Sequence, residues 1–118
     1  KKSKMGMLST EATIKTKVYS KFFDKNFNLI NPTKSLQIKS VNKAIKYVKM
    51  GKVKEAAKSI KPAINYLIKM KCKKIILGCT ELPIAIFAFK SLKKTKLSKV
   101  FIDPNLLLAE IAMKKYKS

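Results

Sequence analysis

The chain has 118 residues, with 28 basic side chains, 6 acidic side chains, no histidine and a formal charge of +22 at pH 7. This length supports one domain, and a hydrophobic content of 47% is sufficient for a buried core. The absence of histidine excludes a His-based triad, a His metal site and a His general base, and two cysteines are too few for a disulfide scaffold or a zinc site.

The basic side chains are all lysines. A charge this high attracts phosphate, so nucleic-acid binding is one interpretation. Interfaces with nucleic acids favour the bidentate guanidinium of arginine, however, and here the lysines are spread along the chain instead of clustering. Isoleucine and asparagine are plentiful as well, as expected for an adenine- and thymine-rich genome. We therefore favour a bias in codon usage and expect no nucleic-acid partner.

No apolar run approaches the roughly 20 residues of a membrane span. The longest, residues 82–89, is far too short, and no apolar stretch follows the basic residues at the N-terminus as it would in a secretory signal. The expected location is the reducing cytoplasm, with free thiols and no membrane partner.

The first third of the chain alternates short apolar runs with one helical pattern. Residues 5–8 are apolar and stop at Ser9 and Thr10, which are good helix caps. Residues 27–30 are apolar at alternate positions and precede Asn31-Pro32, which predicts a strand and a turn. The helix between them is predicted from the spacing of Ile14, Val18, Tyr19 and Phe22.

Two helices are predicted in the middle of the chain. Gly51 closes the first, whose apolar face consists of Val41, Ala44, Ile45 and Val48. Pro62 lies within the second and should kink it or start it afresh, because proline lacks an N–H donor and crowds the preceding turn. The apolar residues of this second helix are Val53, Ala56, Ala57, Ile60, Ile64, Leu67 and Ile68.

The last third of the chain returns to short strands. Residues 75–77 form a continuous apolar run, which is typical of a strand buried on both faces of a parallel sheet. A helix over about 82–92, a strand over 100–102, a turn at Asp103-Pro104 and a helix over about 105–117 follow. This alternation predicts an α/β fold with a parallel sheet flanked by helices and functional loops at the carboxyl ends of the strands.

The segment from Gly78 to Pro83 carries the most chemical information. It places Cys79 directly after a buried strand and beside the free N–H groups of a helix start. Such groups favour negative charge, so they lower a thiol pKa and can hold a substrate carboxylate. A small, buried and inert cysteine is the equally weighted alternative.

Residues 75–83, Ile-Ile-Leu-Gly-Cys-Thr-Glu-Leu-Pro, resemble the second cysteine motif of the aspartate/glutamate racemase superfamily. The resemblance is closest to aspartate racemases, since glutamate racemases typically have histidine where this chain has Glu81. Residues 6–14 and 18–19, residues 48–52 and residues 100–104 resemble three further segments of these enzymes, in the same order.

The resemblance implies racemisation without pyridoxal phosphate or another cofactor, by two cysteines that face opposite sides of the substrate α-carbon. Two acid/bases are needed because one group cannot reach both faces. The resemblance makes Cys79 one of them and places Thr80 and Glu81 where the loop meets the substrate. Lys49, 30 residues before Cys79, would pair with a carboxylate of an aspartate or glutamate substrate.

Thr10 and Thr13 are further candidates for substrate binding. They fall at a predicted strand-to-helix turn, where their hydroxyls could donate to a substrate carboxylate. Helix capping explains the two threonines equally well.

The superfamily's enzymes are about twice this length and have two pseudo-symmetric α/β halves with one catalytic cysteine in each, and this chain resembles only the second half. Cys72 cannot replace the other cysteine, because the predicted strand would separate it from Cys79 by on the order of 20 Å. We therefore expect residues 1–118 to be the C-terminal half, as a fragment, a split protein or a decayed gene product, inactive without the first half. The last helix could pack on that half, and a homodimer is left open.

Two alternative functions remain at this stage. Hydantoin racemases, maleate isomerases and decarboxylases of the superfamily share the two-half fold, although Glu81 and Lys49 favour a dicarboxylic amino acid. In a different class, the chain would be a lysine-rich binding module or remnant that retains the fold without catalysis.

Overall fold

Four parallel strands form one sheet in the computed structural model, which describes residues 3–17, 27–88 and 100–102. The strands are β1 (Ser3–Leu8), β2 (Phe27–Ile30), β3 (Lys74–Leu77) and β4 (Phe101–Ile102). Their order across the sheet is β2-β1-β3-β4, and every neighbouring pair is parallel. The predicted α/β fold with a parallel sheet is confirmed.

Helical segments connect these strands. Their bounds are α1 (Glu11–Thr16), α2 (Lys34–Leu36), a π-helical turn called here the π-segment (Gln37–Asn42), α3 (Lys43–Lys49), α4 (Val53–Lys69) and α5 (Leu82–Phe87). The side chain of Thr33 accepts a hydrogen bond from the Leu36 amide and so caps the start of α2. The predicted end of α3 at Gly51 is confirmed, since this glycine adopts the left-handed conformation with φ +76°.

The two faces of the sheet contribute to separate apolar clusters because side chains alternate along each strand. Met5, Met7 and Ile76 form the smaller cluster. The larger cluster packs the other face of β1 and β3 against the π-segment, α3, α4 and α5, and it contains Leu8, Val41, Ala44, Ile45, Ile60, Ala63, Ile64, Leu67, Ile75, Leu77, Leu82 and Ile86. Burial on both faces explains why residues 75–77 of β3 are continuously apolar.

The sequence predicts that Pro62 either kinks its helix or starts a new one, and the second of these outcomes is wrong. Helix α4 is a single helix of 17 residues with Pro62 inside it. The hydroxyl of Ser40 lies beside this turn, where it donates to the Ser59 carbonyl at 2.6 Å and accepts from the Ala63 amide at 3.2 Å. The π-segment therefore supplies hydrogen bonds to α4 at the point where proline weakens a helix.

The carboxyl ends of β1 and β3 lie side by side. Leu8 pairs with Leu77, and the Gly78 amide donates to the Leu8 carbonyl at 2.8 Å. The loops that follow the two strands therefore leave the sheet at the same edge, which is where parallel α/β folds place their functional loops.

Some predicted features lie outside the described residues. They are Val18, Tyr19 and Phe22 of the first helix, residues 89–92 of the helix after β3, the turn at Asp103-Pro104 and the last helix over about 105–117. Across the ranges that the structure does describe, none of the helices has both the length and the apolar character that crossing a membrane requires.

Replacing Ser40 with alanine is expected to destabilise the fold by about 1–3 kcal/mol, because it removes a buried hydroxyl from the Ser59 carbonyl and the Ala63 amide. Urea unfolding followed by circular dichroism measures the loss. Ser35→Ala is the matched control, since Ser35 is exposed on α2, and it should change the unfolding free energy by less than about 0.5 kcal/mol. Equal stability of the two variants would contradict the role given to Ser40.

Candidate active site

Gly78 allows the two loops at the carboxyl edge of the sheet to approach each other. A Cβ atom at this position would lie 3.0 Å from Sδ of Met7 and 3.1 Å from Cβ of Ser9. Both distances are tighter than ordinary contacts, so a larger residue would push the loop bearing Cys79 away from the loop that follows β1.

Cys79 and Glu81 form the centre of the candidate site. The Cys79 thiol donates a hydrogen bond to Oε2 of Glu81 at 2.9 Å. The Thr80 hydroxyl donates to the same carboxylate oxygen, also at 2.9 Å. One carboxylate oxygen thus orients both the thiol and the hydroxyl of this loop, and Thr80 directs its hydroxyl towards Glu81.

Lys49 joins this centre from the end of α3. Its Nζ lies 3.7 Å from Oε1 of Glu81. Because the Lys49 side chain is 65% exposed, solvent screens the ion pair and it adds little to stability. The effect of this ion pair is to hold the ammonium group of Lys49 next to the loop that carries Cys79.

The resting protonation state of Cys79 differs from the sequence-based expectation. Burial raises the pKa of the Cys79 thiol, and the hydrogen bond to the Glu81 carboxylate raises it further. The backbone N–H of Glu81 and, after it, the charge of Lys49 act in the opposite direction without reversing the shift. The prediction of a lowered thiol pKa is therefore wrong. It considered the N–H groups of the following helix and omitted both desolvation and the neighbouring negative charge.

Glu81 shows the complementary shift. Hydrogen bonds from Cys79 and then from Thr80 lower the pKa of the Glu81 carboxyl group. At neutral pH the pair is therefore a thiol donating to a carboxylate. In this state Cys79 can give a proton to an adjacent carbon, and its thiolate, once formed, is more basic than an ordinary thiolate.

A cleft of about 310 Å³ opens beside Lys49. It is lined by Thr10, Asn42, Ile45, Lys46 and Lys49. The lining offers two ammonium groups, a hydroxyl and an amide around one apolar side chain. Such a surface suits a small molecule that carries carboxylate groups.

Thr10 and Thr13, the remaining predicted site residues, have a structural role in this conformation. The Thr10 hydroxyl accepts from the Thr13 amide at 3.1 Å and caps α1, and the two hydroxyl oxygens are 2.9 Å apart. Thr10 also lines the cleft, whereas Thr13 lines a separate cavity of about 20 Å³ that includes Asn31. The structure therefore brings Thr10 to the same cleft as Lys49, whereas Thr13 contacts Thr10 from behind and is not part of the cleft lining.

Sequence reasoning missed three polar residues of this region. Asn42 and Lys46 line the cleft, and Gln37 hydrogen bonds to Asn42 from inside the fold. A signal for two of them exists, because residues 42, 46 and 49 recur at the helical spacing that puts side chains on one face. The position of Gln37 depends on the π-segment, for which the sequence gives no comparable signal.

Cys72 lies at the other end of β3 from Cys79. It precedes Lys74, is half-buried against the larger apolar cluster, and burial raises the pKa of its thiol. The prediction that the strand separates the two cysteines is confirmed. Among the described residues, no group of three or more cysteine, aspartate or glutamate side chains is arranged to hold a metal ion.

Comparisons with known proteins agree with the fold and with the resemblance to racemases. A protein of Pectobacterium carotovorum subsp. carotovorum, described as "Uncharacterized protein in pnlA 3'region", is 32% identical over 85 residues, which are 71% of this chain and 56% of that protein. The structure of Picrophilus torridus aspartate racemase superposes with a TM-score of 0.69 and 30% identity, covering 96% of this chain and 45% of that one.

The chain thus spans about half the length of the relatives that it matches. The family model for Asp/Glu/Hydantoin racemase matches residues 1–112, which is nearly the whole chain. The chain therefore belongs to the Asp/Glu/hydantoin racemase family.

Proposed function

We propose that this chain is the half of a cofactor-independent amino-acid racemase that carries one of two cysteine acid/bases, with aspartate or glutamate as the substrate. The observation that carries the proposal is the hydrogen-bonded thiol of Cys79, held by Glu81 beside a cationic cleft at the carboxyl edge of the sheet. Family membership and the similarity to an aspartate racemase support the same activity.

In this proposal Cys79 serves one face of the substrate α-carbon. In one direction, a base on the opposite face removes the α-proton, and the electron pair of that C–H bond moves into the carboxylate as an enediolate. The Cys79 S–H bond then breaks as its proton forms a new C–H bond, which leaves a thiolate and the inverted amino acid. In the reverse direction that thiolate removes the proton.

Glu81 positions the thiol and adjusts its basicity. The α-C–H group of an amino acid is a very weak acid. A thiolate of raised pKa is a stronger base, so the transfer of the α-proton to it is less unfavourable. The carboxylate of Glu81 produces part of that rise and fixes the direction of the S–H bond. Lys49 limits the repulsion between Glu81 and the thiolate that forms beside it.

Lys49 also binds the substrate in this proposal. Its ammonium group faces the cleft from the end of α3 and is largely exposed, so a carboxylate can reach it. The side-chain carboxylate of aspartate is the partner that we assign to it. Thr80 and Thr10 are proposed as further contacts, Thr80 after rotation of its hydroxyl away from Glu81 and Thr10 through its place on the cleft wall.

The opposite face of the α-carbon requires an acid/base from outside the described residues. We assign it to a first half that resembles this chain and carries the second cysteine, on the same polypeptide or on a separate one. Coverage of 45% of the Picrophilus torridus enzyme is consistent with this division. Cys72 is unsuited to the task because β3 separates it from Cys79.

The 118 residues alone are expected to give no inversion of L- or D-aspartate, because only one face of the α-carbon meets an acid/base. The test is incubation in D₂O, with chiral chromatography for the enantiomers and NMR for deuterium at the α-carbon. Inversion with deuterium incorporation by this chain alone would falsify the two-half mechanism.

A second test uses this chain together with its first half, called here the two-domain protein. In the two-domain protein, Cys79→Ala should reduce racemisation by about 10²–10⁴-fold, whereas Cys72→Ala, its matched control, should leave the rate nearly unchanged.

Lys49→Ala is expected to lower kcat/KM for aspartate by about 10-fold or more in the two-domain protein, because a charged contact to the substrate is lost. Lys43→Ala is the matched control. Lys43 is an exposed lysine on the same helix and is absent from the lining of the cleft. Its removal therefore measures the effect of losing one positive charge that does not contact the substrate. Equal losses in the two variants would show that Lys49 acts only through the overall positive charge.

Glu81→Gln is expected to lower the pKa of the Cys79 thiol, because the substitution removes a negative charge and retains a hydrogen-bond acceptor. Below the pKa, each unit of lowering gives about tenfold more thiolate and faster alkylation by iodoacetamide. Peptide mass spectrometry across a pH series measures Cys79 and Cys72 in the same sample, so Cys72 is an internal reference. Glu55→Gln, at an exposed position on α4, should have no effect, and an unchanged profile in Glu81→Gln would contradict the assignment.

A further inference from the structure

The π-segment brings Gln37 and Asn42 into direct contact. Nε2 of Gln37 donates to Oδ1 of Asn42 at 2.9 Å. In an α-helix, residues five apart point about 140° away from each other, because 3.6 residues make a turn. The i→i+5 pattern of a π-helix places them nearly above one another. The contact between these two amides therefore depends on the π-segment.

The chemistry of their partners fixes the direction of both amide groups. The Ser9 carbonyl can only accept, so the Gln37 atom 2.8 Å from it must be the Nε2 donor. The Asn42 atom facing that nitrogen must then be the Oδ1 acceptor. This leaves the Nδ2 donor of Asn42 to face outward, where it donates to Oε1 of Glu11 at 3.2 Å in a solvent-exposed hydrogen bond.

Gln37 is buried and pairs only one end of its amide. It is 4% exposed, and its Oε1 has no hydrogen-bond partner among the described residues. An unpaired buried acceptor costs free energy, and the two hydrogen bonds donated by Nε2 offset that cost. What its Nε2 group does is join Asn42 to the loop that follows β1, through the Ser9 carbonyl.

The outward donor of Asn42 lies on the wall of the cleft. Asn42 shares that lining with Thr10, Lys46 and Lys49. The exposed carboxylate of Glu11 already accepts a hydrogen bond from the Asn42 amide, which shows that the position takes a carboxylate oxygen. Two ammonium groups on the same wall favour an anion over a neutral ligand.

We infer that Asn42 is a specificity-determining residue of this cleft. Its Nδ2 donates to a carboxylate of the substrate in place of Glu11, and Gln37 is the positioning residue that keeps this donor turned outward. The inference rests on the proposed function, because it names a contact that the same site makes with a dicarboxylic amino acid. The π-segment, the buried Gln37 and the cleft then act as one device for recognising a carboxylate.

NMR of the ¹⁵N-labelled chain tests the inference, with L-aspartate as the probe and L-alanine as the probe that lacks the second carboxylate. We expect aspartate to shift the Asn42 side-chain amide resonances in a saturable way and alanine to shift them less. Asn42→Asp keeps the acceptor for Gln37 and replaces the donor with an anionic oxygen. It should weaken aspartate binding about 10-fold or more.

Asn65→Asp is the matched control, since it makes the same change of charge at an exposed position on α4. Gln37→Met removes the buried amide with little change of volume. It should also weaken aspartate binding. Because it leaves the buried Ser9 carbonyl without its donor, it should lower the unfolding temperature as well, so affinities are compared at a temperature at which both proteins are fully folded. A merely structural role would leave the affinity of the folded protein unchanged, whereas positioning of Asn42 by Gln37 requires that affinity to fall.

Three outcomes would overturn the inference. They are equal weakening by Asn42→Asp and Asn65→Asp, unchanged affinity in Gln37→Met, and no saturable shift of the Asn42 amide. If aspartate binds and Lys49→Ala weakens it while Asn42→Asp behaves like the control, the inference fails and the proposed function stands. The proposed function fails separately, when the two-domain protein does not interconvert the enantiomers of aspartate or glutamate.

Discussion

Parallel pairing of β1 with β3 is the constraint on which the candidate site depends. The register that sets Leu8 opposite Leu77 ends both strands at the same level, and the Gly78 amide extends the pairing by one hydrogen bond. Because Gly78 has no side chain, the loop bearing Cys79 packs closely against the loop that follows β1. A register shift of one residue would turn the buried side chains of a strand to the opposite face and separate these loops.

The π-segment connects this edge of the sheet with the helical layer. On one side, Ser40 bonds to α4 next to Pro62, and Ser59 returns a hydrogen bond to the Ser40 carbonyl. On the other side, Gln37 holds the Ser9 carbonyl and Asn42. A regular α-helix would rotate residues five apart away from each other, so it could not make both sets of contacts. The irregular turn therefore couples the packing of α4 to the geometry of the cleft.

The sequence predicts those features for which a short stretch of the chain carries all the information. The strands β1 and β3 follow from apolar runs, and the positions of Cys79, Glu81 and Lys49 follow from motifs. The direction of the Cys79 pKa shift required knowledge of burial and of the Glu81 rotamer, which are tertiary properties. The π-segment was missed because its residues also suit an α-helix, and what distinguishes it is contacts with α4 and with the loop after β1. A new helix start at Pro62 is wrong for the same reason, since Ser40, which bonds to the helix beside Pro62, lies 22 residues earlier in the chain.

The few acidic residues are more informative about this site than the many lysines. In a chain with 28 lysines and 6 acids, a lysine near a cleft is expected from composition alone, whereas a carboxylate there is not. Two carboxylates nevertheless lie at this edge, and each accepts a hydrogen bond from a group with a proposed role: Glu81 from the Cys79 thiol and Glu11 from the Asn42 amide. The lysines supply a positive field that attracts anions without directing them. The hydrogen bond to Glu81 fixes the orientation of the thiol, and Gln37 fixes the orientation of the Asn42 amide that now donates to Glu11. Such orientation is what proton transfer and the recognition of a carboxylate require.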